Sequence, residues 1–235
     1  MLKIIAGIGT GACLITFTLL AADAWTKPYT QWSDADVQKV LNDSPWADRM
    51  LIETGQRGEL ANPNPEAKGK DSVTGMLTVP VTVFWQSALP IKQAFFGRAT
   101  ATDAQKQLLD RQEPAHILRL QGLPGSARAA TQDLDKLKAA SVIKIKGKPD
   151  LHPSDIQVSM PPPPPQDGAK GGPSGGGKGG FGGGFGNFDL FLVFPKDASI
   201  DVDDKEMEFV TKLGQLSIRK KFKLKEMVYN GKLEF

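Results

Sequence analysis

This sequence predicts an α+β fold: a single domain with a largely antiparallel sheet of about six or seven strands and three or four short helices. Three observations carry the assignment. From Phe188 onward, apolar residues recur with period two through consecutive segments separated only by turn residues. Upstream, apolar residues at helical spacing form only short, narrow stripes. Strands that follow one another without helices between them also disfavour a doubly wound parallel sheet.

The first helix opens at Ser33, a good N-cap, with Asp36 placed to reach back as the acidic half of a capping box. Asp34 and Asp36 sit in its first turn, where the helix dipole favours negative charge. Val37, Val40 and Leu41 make its apolar stripe. Asn42-Asp43-Ser44-Pro45 stops it, because proline disfavours helical geometry in the preceding residue; Pro45 could equally open a further helical turn at Trp46. Gly55 to Gly75 is polar and breaker-rich, and reads as an exposed loop. Leu77, Val79, Val81, Val83 and Trp85 then alternate with Thr78, Pro80, Thr82 and Phe84, a strand signal. Pro80 has no N–H, which asks for a sheet edge or a bulge. Helices are expected at Pro90–Phe96, at Thr102–Gln112 and at Ser126–Ala139, the last on the stripe Ala127, Ala130, Leu134 and Leu137. Strands are expected around His116–Leu120, ended by Gly122, and at Val142–Lys146.

Residues 160–187 change character. Pro161–Pro165 favours polyproline II, and eleven of the sixteen residues in Gly171–Gly186 are glycine, which lose much backbone entropy on ordering. This stretch reads as a disordered insertion. It divides one α+β domain into a first part, 25–159, and a set of completing C-terminal strands, 188–235. In that tail Phe188, Leu190, Leu192 and Phe194 share one face, with Phe191 and Val193 on the other, so burial on both faces is expected. Met207 to Leu213 and Leu216 to Leu224 continue the alternation. A two-residue turn at Leu213-Gly214 would set Phe209 opposite Ile218, Glu208 opposite Arg219 and Glu206 opposite Lys221. Asn230-Gly231 should join Val228-Tyr229 to Leu233–Phe235.

Residues 1–24 read as a signal peptide. Lys3 gives a positive start, Ile4 to Leu20 form an uncharged apolar run, and Ala22-Asp23-Ala24 has the small-x-small pattern of a cleavage site. Cleavage at Ala24 would place the mature protein in a bacterial periplasm or outside the cell. The alternative, an uncleaved membrane anchor, is weaker: the run is shorter than the roughly 20 residues that span a bilayer, and Gly7, Gly9 and Gly11 dilute it. Cys13 is the only cysteine. The mature chain would therefore contain none, and its core must hold it without disulfides.

No catalytic, cofactor-binding or metal site is assigned, and the ligand is left open. Gly172 to Gly179 nearly spells a phosphate loop, but Gly179 stands where Ser or Thr should hold magnesium, and no strand–loop–helix context surrounds it. Ser141 and Lys144 have the spacing of a serine–lysine pair, yet they lie at a strand, where that spacing does not bring hydroxyl and amine together. His116 and His152 are the only histidines, and with no cysteines a zinc site would lean on carboxylates. Asp197, Asp201, Asp203, Asp204 and Glu206 resemble a calcium loop, but Lys205 and Glu206 occupy its fifth and sixth positions. Arg219, Lys221, Lys223 and Lys225 line one strand face, read first as a solvated face that deters edge pairing and second as a contact for an anionic glycan, lipid or nucleic acid. Trp25, Tyr29, Trp32 and Trp46 cluster near the mature N-terminus and read as anchors to the core. The net charge of +3 is too mild to point to nucleic acid.

Three segments also carry a resemblance. Tyr29-Thr-Gln-Trp32-Ser-Asp-Ala-Asp36, Asp43-Ser44-Pro45-Trp46-Ala47 and Phe222-Lys-Leu-Lys-Glu-Met227-Val-Tyr229-Asn-Gly231-Lys-Leu233 resemble an uncharacterised group of exported proteins from soil acidobacteria. The similarity spans the mature chain apart from the Pro/Gly insertion. It implies export and one compact domain, with no activity attached.

The expectation is thus an exported, non-enzymatic domain with a binding or envelope-associated structural role, with no cofactor. No nucleotide or nucleic-acid partner is expected, envelope or glycan contact is, and the protein should be a monomer. The alternatives are an exported hydrolase using scattered carboxylates, and a carbohydrate-binding surface protein using Trp32 or Trp46.

Overall fold

The computed structural model describes residues 23–59, 74–96, 102–111, 113–159, 187–196 and 200–235. Along them run α1 (Asp34–Asn42), β1 (Asp43–Ser44), β2 (Ala47–Glu59), β3 (Thr74–Trp85), α2 (Leu89–Phe96), α3 (Asp103–Asp110) and β4 (Ala115–Leu123). After a 3-10 segment, Gly125–Thr131, follow α4 (Leu134–Ala140), β5 (Val142–Ile145), β6 (Asp155–Ser159), β7 (Phe188–Pro195), β8 (Glu206–Leu213) and β9 (Leu216–Lys223). The short pair β10 (Val228–Tyr229) and β11 (Lys232–Leu233) ends the chain. Apart from Asp23, Ala24 and Asn187, the expected leader and the expected Pro/Gly insertion lie outside the described residues.

The α+β class is as expected. Six strands, every neighbour antiparallel, form the main sheet in the order β1-β2-β3-β4-β7-β6. A three-stranded sheet, β5-β8-β9, lies against it. β7 pairs with both β4 and β6, and β8 pairs with β5, so strands from either side of residues 160–186 share both sheets. The core lies between the inner faces: Val81, Val83, Trp85, Leu118, Leu120, Leu190 and Leu192 from one, and Met207, Phe209, Ile218 and Phe222 from the other. Trp85 meets Phe222 across this interface with ring centroids 5.6 Å apart. At one edge Lys220 on β9 binds Asp48 on β2 at 2.6 Å.

Local chemistry explains the helix starts. Ser33 and Asp36 close the expected capping box on α1, and Thr102 with Gln105 closes another on α3. Hydrogen bonds from Lys27 and then Ser33 hold the Asp36 carboxyl down to about 2. The helix expected over Ser126–Ala139 is instead broken in two. Asp133 accepts the Lys136 N–H at 3.0 Å and starts α4 afresh after the 3-10 segment, the competition between side chain and backbone that Asp offers.

Several strand expectations need correction. Pro45 and Trp46 form a turn between β1 and β2, not a helical turn. The loop expected from Gly55 is strand as far as Glu59, and the β2–β3 ladder slips between Glu53 and Arg57. Pro80 lies neither at a sheet edge nor within that slip. β3 is an interior strand, but its ladder with β4 runs only from Thr82 to Trp85. A Cβ on Gly122 would lie 3.3 Å from the Pro80 carbonyl oxygen, so that carbonyl faces β4. In a strand the N–H of a residue points the same way as its C=O. The donor proline lacks would therefore point where the ladder has already ended.

The β8–β9 turn sits at Gly214-Gln215, with Leu213 opposite Leu216. The expected turn would have pulled Leu213, which is fully buried, out of the core. Gly214 has φ 61°, the backbone that glycine supplies at the first central position of a type II′ turn. The ion pairs expected from the other register form diagonally instead: Arg219–Glu208 at 3.5 Å and Lys221–Glu206 at 3.1 Å. In β7, Phe188, Leu190, Leu192 and Phe194 are buried, but Phe191 and Val193 only half so.

The other side of the main sheet carries Arg119 on β4. Its guanidinium pairs with Asp189 on β7 and lies over the rings of Phe84, Phe95 and Phe191. Asp189 also accepts the Gly122 N–H at 2.9 Å.

Candidate functional site

The outward face of the β5-β8-β9 sheet is set by strand parity. Along β8 the odd positions Met207 to Leu213 point into the core, which leaves Glu206, Glu208, Val210 and Lys212 outward. The ladder sets Lys144 of β5 and Lys221 of β9 on either side of Glu208, and Arg219 opposite Val210. Lys223 completes the face, opposite Glu206. Five cations (Lys144, Lys212, Arg219, Lys221, Lys223) therefore share it with two carboxylates (Glu206, Glu208).

Glu226, in the turn after β9, also pairs with Lys223 at 2.9 Å, so the face and its margin carry two of the chain's net three positive charges. The side chains of Arg219, Lys221 and Lys223 are 68%, 58% and 69% exposed. Lys223 is pushed above its ordinary value by its hydrogen bond to Glu226. Lys144 and Lys212 are exposed and have no ion-pair partner among the described residues. Three of the four cations singled out in the sequence lie on this face. The fourth, Lys225, follows the end of β9 and sits in a turn. Lys144 and Lys212 could not be found from the sequence, because only the pairing of β5 with β8 brings them alongside.

Lys212 also lies at the mouth of a groove of about 440 Å³ between α4 and the β8–β9 turn. Ala129, Ala130, Leu137, Ala140 and Gly214 line it, with Asp133, Lys136 and Lys212 at its polar margin. It continues past Ser126 to Thr54, Leu213 and Leu216. Arg128 stands on the far side of the same 3-10 segment. No periodicity reports this groove, because it forms where a helix and a hairpin tip meet.

The other residues noted in the sequence have structural duties. Ser141 is fully buried, bonded to the Leu137 carbonyl at 2.8 Å and to the Thr211 hydroxyl at 2.7 Å, while Lys144 points to solvent. His152 lies with Nδ1 2.9 Å from the Ser141 carbonyl. Asp201 caps the 3-10 turn Val202–Asp204, and Asp204 binds Lys148 at 2.6 Å; Asp197 and Gly172 to Gly179 are outside the described residues. Among the described residues no three His, Cys, Asp or Glu side chains gather as metal ligands. Trp46 is fully buried, with Nε1 donating to the Glu234 carbonyl at 2.8 Å, so it has no ring face to offer a sugar. Trp25, Trp32 and Tyr29 are half-buried, and Trp25 packs edge-on against Trp46.

His116 packs on Phe235, ring centroids 4.2 Å apart, and its Nδ1 lies 3.0 Å from the Phe235 carbonyl. Burial pushes its pKa below the ordinary 6.5, opposed by that hydrogen bond and assisted by Lys196. The unfolded chain therefore takes up this proton first as pH falls. Stability should be at its full value above pH 6.5 and drop as pH falls through the folded-state value. Chemical unfolding between pH 7.5 and 5 checks this, and H116Q should flatten the slope; an unchanged slope would assign it to other groups.

No family model, no curated protein and no solved structure matches this chain.

Proposed function

We propose that this chain is an exported, non-enzymatic domain that docks on an anionic component of the cell envelope through the outward face of the β5-β8-β9 sheet. The observation that carries the reading is the clustering of five cations on that one face, which holds most of the protein's net charge. A flat, exposed array of long cationic side chains suits an extended or planar array of phosphate or carboxylate groups, because each charge contributes without a shaped pocket. β9 is an edge strand of its sheet, so the same cations also discourage pairing with another strand. The leader-like first 24 residues and the resemblance to exported proteins support an envelope location.

The test is binding to heparin and to vesicles containing an anionic phospholipid, at rising salt. The wild-type protein should bind both with affinity that falls as salt rises. R219E/K221E/K223E should bind at least about tenfold more weakly, given ~1 kcal/mol per cation near an anionic surface. Because these cations pair with Glu208, Glu206 and Glu226, R219Q/K221Q/K223Q, which removes the charges without setting carboxylate against carboxylate, should also bind more weakly and should melt near the wild-type temperature. Absence of salt-sensitive binding to either probe would end the proposal.

A further inference from the structure

We infer that the groove between α4 and the β8–β9 turn is an anionic-amphiphile site, seating an apolar chain while Lys136 and Lys212 hold a phosphate or carboxylate head group. This rests on the basic sheet face being a docking surface, and it names that surface's ligand as a lipid and not a polysaccharide. The groove and the face are continuous, because Lys212 belongs to both.

Two properties of the groove select an amphiphile. Its floor is apolar, built from Ala129, Ala130, Leu137 and Ala140. Alanine side chains leave room that bulkier residues would fill, and about 440 Å³ lies within the ~300–1,000 Å³ of small-molecule sites. Its margin is cationic. Lys136 and Lys212 have no ion-pair partner among the described residues. The one carboxylate there, Asp133, caps α4 by accepting the Lys136 backbone N–H at 3.0 Å, which leaves two cations to one anion around the groove. A soluble polyanion would gain nothing from the apolar floor, and a neutral lipid would leave the cations unused. An anionic lipid uses both.

Dodecyl phosphate below its micelle concentration is the probe, followed by calorimetry, with dodecanol and inorganic phosphate as controls. Dodecyl phosphate should bind at least about tenfold tighter than either control. Ala130→Trp, which fills the groove, and K136E/K212E, which reverses its margin, should each weaken binding about tenfold or more. Equal binding of dodecyl phosphate and inorganic phosphate, or full binding by K136E/K212E, would overturn the inference. K136E/K212E changes only exposed side chains and decides the matter if Ala130→Trp fails to fold. Vesicle and heparin binding separates the two readings. If anionic vesicles bind but dodecyl phosphate does not, the groove site falls and the basic face stands; if no anionic probe binds, both fall.

Discussion

Replacing Trp85 by alanine should lower the unfolding free energy by about 3–5 kcal/mol, a large part of the roughly 5–15 kcal/mol available to a domain. Trp85 is fully buried where the two sheets meet, against the rings of Phe194, Phe222 and Phe235 at 6.3, 5.6 and 5.5 Å. Removing it leaves a cavity that rings from three separate segments cannot all move to fill. A urea titration followed by far-UV circular dichroism measures the loss. The same site offers a sharper comparison. Trp85 Nε1 is buried without an acceptor among the described residues, whereas Trp46 Nε1 donates to the Glu234 carbonyl. W85F discards an unsatisfied donor, while W46F discards a bond and strands a carbonyl, a difference of about 1–2 kcal/mol. W85F should therefore be the milder variant, and the reverse order would show that ring volume dominates at both positions.

D189A should be the next most damaging change, at about 2–3 kcal/mol. Removing one partner of a buried ion pair costs about 3–5 kcal/mol, discounted here because the Arg119 and Asp189 side chains keep 19% and 16% of their exposure. The variant strands the guanidinium, whose Nε is already buried without a partner among the described residues, and the Gly122 N–H. R119M/D189A removes the charge and keeps an unbranched chain among Phe84, Phe95 and Phe191. It should be more stable than D189A alone. A double variant less stable than D189A would mean that the guanidinium is held by the three rings and not by the carboxylate.

How much of this was legible beforehand depends on how local each feature is. The capping box at Ser33 involves residues three apart and formed as read, and the helix expected from Thr102 starts there on a box of the same span. The strands β3, β7, β8 and β9 announced themselves by alternation. β2 did not, because Leu51 faces solvent at 70% exposure and Gly55 and Gly58 interrupt any pattern. β6 was missed for a similar reason: of its five residues only Ile156 is buried. The β8–β9 register was misplaced because two turns, one residue apart, preserve the same inward face; only the burial of both Leu213 and Leu216 separates them. Three of the five cations of the basic face could be read along β9, where they repeat every second residue. The rest needed strand order, which no single segment encodes.

β7 is the strand that completes the main sheet, and this sets the order in which the protein can be made. Arg119 and Asp189, which it brings together, are 70 residues apart in sequence. Until β7 leaves the ribosome, β4 lacks one neighbour and β6 lacks its partner in the sheet, with apolar faces already synthesised. At ~5–20 residues per second this is an interval of several seconds, longer than most small domains need to fold. The β1-β2-β3-β4 ladder can form in that interval, but β4's second edge and β6 must wait for a strand made late, and long-range pairing of this kind is intrinsically slow.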